Sequence, residues 1–424
     1  MKPKINPLIR SALLTAAAFA FAGAAIQAQA QTTYRWNGSP TASSDWTTAA
    51  NWASPGIGAT GGSSNSRLNV YNGSGQTLVY SATQGTTVYA NTATNGRGLV
   101  IGNAGIATGS MEITGGSFST LGSVSSDVIG NFVNGTLVVS GTGSFIGAGT
   151  SAGGTVVGLN SSGGTSTFTV TGSGSATVTT LQLSAATAIV NLNGGTLTAN
   201  QIIDADNVGT TGNSNTTFNF NGGTLTAGSG STTAFMTGLT NAYVKSGGAK
   251  VDTSGRDITI GQALLADSST GGLEKIGAGT LTLAANSTYT GDTLVNNGTL
   301  ALSSTGGLKF VIGADDVNNQ ITGAGTVSLD GLFTFDLTSA STTLNDSWNI
   351  VDVASLTETF GFNFNVDTFS RDGGGTGAGI WTKVIDANSR YQFDTSSGVL
   401  TVIPEPSAAL LGGLGLLALL RRRR

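Results

Sequence analysis

Chemistry in this chain has to be sought among carboxylates, hydroxyls and amines, because its 424 residues include no cysteine and no histidine. Thiolate and imidazole chemistry is therefore absent: no zinc site with the usual donors, no Cys or His nucleophile or base, and no disulfide. Three groups of acids stand close in sequence: Asp204 with Asp206, Asp315 with Asp316, and Asp252 with Asp257. Residues two apart on a strand share a side, so Asp204 and Asp206 could make an acid pair or part of a calcium site. The same spelling at a loop edge is ordinary turn chemistry, in which the carboxylate accepts a backbone N–H two residues on, and the sparse acids favour that reading. No P-loop, dinucleotide fingerprint, GxSxG elbow or glycine-aspartate calcium repeat is spelled. The expectation is a protein with no catalytic residue, no metal site and no cofactor.

Aromatic faces offer a different chemistry. Trp36, Trp46 and Trp52 fall within 17 residues and are three of the five tryptophans. Exposed and coplanar, their indoles would stack on sugar rings. The alternative, which we expect, is that they cap the open end of a repeat stack, since solenoids need atypical terminal units. Charge narrows the partners further. Lys2, Lys4, Arg10 and Arg421 to Arg424 are seven of the 18 basic residues, so the body between the ends is acidic. Nucleic acid, which needs a basic patch, is not an expected partner.

The elements that would position these side chains are short strands. Gly 65 against Pro 6, with 39% hydrophobic and only 9% charged residues, describes a β-forming chain with many tight corners. From about residue 99 it repeats: Ile101-Gly102-Asn103, Ile129-Gly130-Asn131 and Val157-Gly158 are spaced by 28, and VNLNGGTLTA at 190–199 returns 28 residues later as FNFNGGTLTA. Pairs such as Leu137 and Val139, or Phe168 and Val170, alternate with polar residues and so share one strand face. The fold class expected is all-β: a right-handed parallel β-helix, or solenoid, of short Gly-rich rungs over 99–302. It would hold on the order of eight rungs in a rod about 40 Å long. Leu137, Val139, Phe168, Val170, Leu192, Phe220, Leu225, Leu281 and Leu300 should point inward in stacks.

The stretch GGLEKIGAGTLTLAANSTYTGDTLVNNGTLAL, residues 271–302, resembles the autotransporter-associated β-strand repeat at Leu273, Lys275, Gly277, Gly279-Thr280-Leu281, Tyr289-Thr290-Gly291, Thr293 and Gly298-Thr299-Leu300. The resemblance implies a β-helix of the kind that builds passenger regions of surface proteins. Residues 303–403 lose the 28-residue echo and gain phenylalanine, which predicts a separate compact antiparallel β domain, and no array of membrane strands is seen there.

Both ends read as addresses. Basic residues, an apolar stretch from Ala12 to Ile26 and the small residues Ala28 and Ala30 spell a signal peptide over 1–30, with a signal-peptidase site after Ala30. A Trp-rich cap would follow over 31–98. At the other end, Pro404-Glu405-Pro406 precedes thirteen apolar residues, Ala408 to Leu420, and then Arg421, Arg422, Arg423 and Arg424. A helix of that length covers about 20 Å and needs snorkelling arginines or a thinned bilayer to span. This segment, 404–424, resembles the PEP-CTERM sorting signal. The resemblance implies an exosortase-type sorting protease as partner, transient anchoring in the inner membrane through a C-terminal hydrophobic helix, and display at the cell surface, often beside exopolysaccharide. The expected function is a structural or adhesive surface protein; a polysaccharide-active β-helix enzyme and a carbohydrate-binding module are the alternatives.

Overall fold

The computed structural model describes residues 32–36, 52–54, 66–71, 76–88, 97–103, 107–120, 123, 126–147, 154–159, 164–184, 187–204, 215–354, 356 and 359–405. The signal peptide with Ala28 and Ala30, Trp46, Asp206, and the tail from Pro406 through Arg424 lie outside the described residues. Apart from one 3₁₀ turn at Ala82–Gln84, the regular elements within them are strands.

The strands coil into three parallel ladders, so each turn of the chain crosses a first, a second and a third face. On the second face, Leu78, Met111, Leu137, Phe168, Val190, Phe218, Ala242 and Leu264 stand in register, one per rung. Tyr80, Ile113, Val139, Val170, Leu192, Phe220 and Val244 form the neighbouring column. Two-residue alternation puts both columns inside and leaves Thr169 and Asn191 between them facing out. All nine side chains expected to point inward are buried. Each contributes roughly 1.5–3 kcal/mol by leaving water. Aromatic contacts link faces within this core: Tyr80 meets Phe118 edge-on at 5.7 Å, and Phe145 meets Phe168 at 6.1 Å.

The solenoid is regular in pairing, not in length. Asn131 donates to Asn103, and Asn219 to Asn191, across 28 residues of sequence. Yet the first face steps 19 residues from Leu283 to Leu302 and 34 from Ile202 to Met236. Insertions at corners absorb the difference.

The corner between the second and third faces shows why glycine is so frequent. Gly116, Gly143, Gly174, Gly195, Gly223, Gly248 and Gly271 succeed one another along it, and a Cβ on Gly271 would lie 1.9 Å from the Lys245 carbonyl oxygen. At Gly195 it would lie 2.1 Å from the Gly174 oxygen. Adjacent backbones approach too closely there for any side chain.

The expected break after residue 302 is not present in the ladders. Thr299–Leu302 pairs with Thr326–Leu329, Gly307–Val311 pairs with Leu332–Asp336, and Ile321–Gly323 pairs with Val351–Val353, all parallel. Apart from the exposed Phe362, the phenylalanines of 303–369 therefore fill further rungs: Phe333 packs on Phe310 and Phe364 with ring centroids 4.7 and 5.0 Å away. The antiparallel part is smaller than expected, a five-stranded sheet in the order Ser347–Asn349, Val399–Pro404, Ser389–Asp394, Ile380–Val384, Ser370–Arg371. Phe393 of this sheet packs on Phe333 and Phe335, so the sheet closes the end of the stack. At the other end the solenoid also reaches further than 99. Leu68 pairs with Leu99, and Thr32–Trp36 pairs in parallel with Ser66–Val70.

Candidate functional site

A lysine stands in a core column. On the third face Leu197, Leu225, Val251, Lys275 and Val295 occupy successive rungs in register, and Lys275 is fully buried. Its Nζ donates to Thr253 Oγ1 at 3.0 Å and to the carbonyl oxygens of Ile276 at 3.0 Å, Gly277 at 2.6 Å and Asn297 at 3.0 Å. Burial lowers its pKa below the ordinary lysine value, and the charge of Asp252 works against that shift. The surrounding glycines make the cage. A Cβ on Gly298 would come within 2.9 Å of the ammonium and 2.3 Å of the Gly279 oxygen. An ammonium with three donors thus collects corner carbonyls from two rungs, adding to the bond that Ile276 O already accepts from Thr253 N. Its work is structural.

The described acids among those singled out from the sequence, Asp204, Asp252, Asp257, Asp315 and Asp316, are dispersed and engaged. Asp204 is buried and its Oδ2 accepts the Thr216 hydroxyl at 2.9 Å, in the column that runs through Ile129, Val157 and Leu183. Asp252 accepts Ser254 N at 2.8 Å, Asp257 accepts Thr280 N at 2.8 Å, and Asp315 accepts Ser347 N at 2.8 Å. These are corner-capping bonds. Asp316 instead supplies a positive φ of 59° and a backbone N–H to Ser347 O. A buried carboxylate the sequence reading passed over is Asp127, which accepts Leu99 N at 3.0 Å and the Thr120 hydroxyl at 2.5 Å. Its signal was faint: one acid opening a strand, in register with Thr155. Among the described residues no group of three or more acids is placed to hold a metal ion.

One groove does bring charges together. A hollow of about 260 Å³ runs over the glycine corner, floored by Gly247, Gly248, Gly271 and Gly272 and edged by Lys250, Glu274 and Asp292. Lys250 pairs with Glu274 at 3.4 Å, Glu274 also accepts Asn296 Nδ2 at 2.8 Å, and Asp292 accepts Gln320 N at 3.0 Å. Sequence reading missed this trio because its members come from three rungs.

Trp36 is buried and in antiparallel register with Trp52, so its indole is not available to a sugar. Pro404 ends the strand Val399–Pro404, in register with Ser389, and Glu405 N donates to Asn388 O at 2.8 Å. No helix among the described residues is long and apolar enough to cross a membrane.

The buried lysine and its glycines lie within one recognisable unit. Residues 273–302 match the passenger-associated-transport-repeat family. Comparison with curated proteins and with solved structures gave no match. The matched repeat supplies four strands, Leu273–Ile276 paired with Thr293–Val295 and Thr280–Leu283 paired with Thr299–Leu302. The chain therefore carries an autotransporter-associated β-repeat built into a parallel β-helix.

Proposed function

We propose that this protein is an exported cell-surface rod with a structural or adhesive role, and that it has no hydrolase or lyase activity. The observation that carries the reading is the passenger-associated-transport repeat at 273–302, built without interruption into the parallel ladders on either side of it. Such a repeat is a display element. Consistent with that use, Asp252, Asp257 and Asp315 cap backbone N–H groups at corners, and the outer faces present rows of Thr, Ser and Asn, among them Ser175, Thr196 and Thr224.

The two chain ends complete the proposal. Residues 1–30 would direct export with cleavage after Ala30. The tail 404–424 would hold the chain in the inner membrane until an exosortase-type protease reads Pro404-Glu405-Pro406, with Arg421 to Arg424 stopping translocation. Exopolysaccharide is the partner we expect at the surface.

A second reading rests on the groove at Lys250, Glu274 and Asp292, where two acids and a lysine edge one hollow. A glycan laid there could be bound or cut. A glycan array probed with the folded chain, followed by product analysis of any bound polysaccharide, separates the readings. Binding without turnover supports the adhesive rod. Depolymerisation abolished by Glu274→Gln or Asp292→Asn would replace it with an enzyme.

A further inference from the structure

The hollow over the glycine corner has a direction. Gly248, Gly272 and Asp292 hold the same place in three successive rungs, because the residues that follow them, Ala249, Leu273 and Thr293, stand in register. The floor without side chains therefore runs along the rod axis and stops at Asp292, whose Oδ1 accepts Gln320 N at 3.0 Å. One wall is the outward column Lys250, Glu274, Leu294, which gives one side chain per rung. The chain enters this corner from the second face, so the exposed Ser246 and Thr270 edge the opposite side. The charges around the hollow do not balance. Lys250 is met by Glu274 at 3.4 Å, and Lys245, which precedes Ser246, is met by Asp267 at 3.2 Å, which leaves the carboxylate of Asp292 in excess.

We infer that this groove binds an uncharged, hydroxyl-rich glycan laid parallel to the rod axis, and that Asp292 excludes acidic glycans from it. The inference deepens the proposed reading of a surface rod that meets exopolysaccharide, and rests on that reading. Shape is the first support. Rungs rise by about 4.8 Å, close to the length of one hexose in an extended chain, so the three rungs of the groove match roughly two to three sugars. Composition is the second. A concave site with a few fixed polar groups and some apolar surface suits a sugar chain: the Glu274 and Asp292 carboxylates accept hydroxyls, Ser246, Thr270 and the Lys250 ammonium donate, and the half-buried Leu294 meets ring C–H groups. Both acids are held in place, Glu274 by Asn296 Nδ2 at 2.8 Å and Asp292 by Gln320 N, so little order has to be created on binding. Charge is the third. A uronate would bring its carboxylate against Asp292, while the lysine lining the groove is already paired with Glu274.

The test is calorimetric titration of the full chain at low salt with two oligosaccharide series of graded length, a neutral β-linked glucan and an oligouronate. Affinity for the neutral series is expected to rise with length and level off at about three sugars, the span of the groove. The oligouronate should bind on the order of ten-fold more weakly, and added salt should narrow that gap without changing the neutral affinity. Asp292→Asn keeps an acceptor for Gln320 N but removes the charge, and should close most of the gap. Leu294→Ala, at a half-buried surface position, should weaken the neutral series by about five-fold. A natural chain that prefers the oligouronate, or a preference for the neutral series that Asp292→Asn leaves unchanged, would overturn the groove while leaving a glycan-binding rod in place. Binding of neither series, together with no binding of exopolysaccharide from cells that display the protein, would instead defeat the exopolysaccharide reading on which the inference rests.

Discussion

Lys275 Nζ sits 3.0 Å from Thr253 Oγ1, and that hydroxyl passes its own proton on to the Ala278 carbonyl oxygen at 2.5 Å. The two residues come from successive rungs, so a charge inside the stack ties one turn of the solenoid to the next. Two of the lysine's acceptors, Gly277 O and Asn297 O, are corner carbonyls that a nonpolar side chain would leave short of a donor.

Lys275→Met keeps length and approximate volume but removes the donors. Orphaning buried carbonyls costs roughly 1–3 kcal/mol each, so the variant should lose about 2–4 kcal/mol in urea unfolding. A Met variant as stable as the natural chain would mean that relief from burying the charge outweighs the lost bonds.

Glycines at the tight corner and elsewhere should respond in opposite ways to alanine. Gly271→Ala drives a Cβ to 1.9 Å from Lys245 O and should destabilise by about 1–3 kcal/mol. Gly261→Ala meets nothing nearer than 3.6 Å and should be neutral or stabilise by roughly 0.4–1 kcal/mol through the unfolded chain. Thermal melts of the two variants check the contrast.

An acid limb of stability is expected from Asp336. Lys309 Nζ lies 2.9 Å from its Oδ2, and Thr338 donates its hydroxyl at 2.7 Å and its backbone N–H at 3.2 Å to Oδ1. Lys309 first, then Thr338, pulls the carboxyl down to about 2. A carboxylate depressed in the folded state stabilises fully above its unfolded value of roughly 3.9 and loses that contribution as pH falls through the folded value. Stability should therefore decline between about pH 4 and about pH 2, and Asp336→Asn should flatten that part of the urea-midpoint profile.

Much of the core was legible because strand alternation is strict where rungs are short: Leu137 with Val139 and Phe168 with Val170 need only a period of two. Lys275 was harder. Alternation from Leu273 puts it inside, but a charge normally argues for the outer face, and only the carbonyl cage reverses that. The solenoid's continuation past 302 was hidden because rungs of unequal length erase the 28-residue echo while leaving the ladders paired, as between Leu283 and Leu302 or Ile321 and Val351. The Lys250, Glu274 and Asp292 groove was not readable at all, since register between rungs sets it and no local spacing records that register.

The central claim, an exported rod displayed at the surface after its tail is removed, is tested most directly by mass spectrometry of the surface-exposed protein fraction. The account predicts an N-terminal peptide beginning near Gln31, peptides through the Val399–Pro404 strand, and none containing Leu419 and Leu420. Recovery from that fraction of an intact C-terminal peptide with Leu419 and Leu420, or of a chain still carrying Ala28 and Ala30, would contradict it.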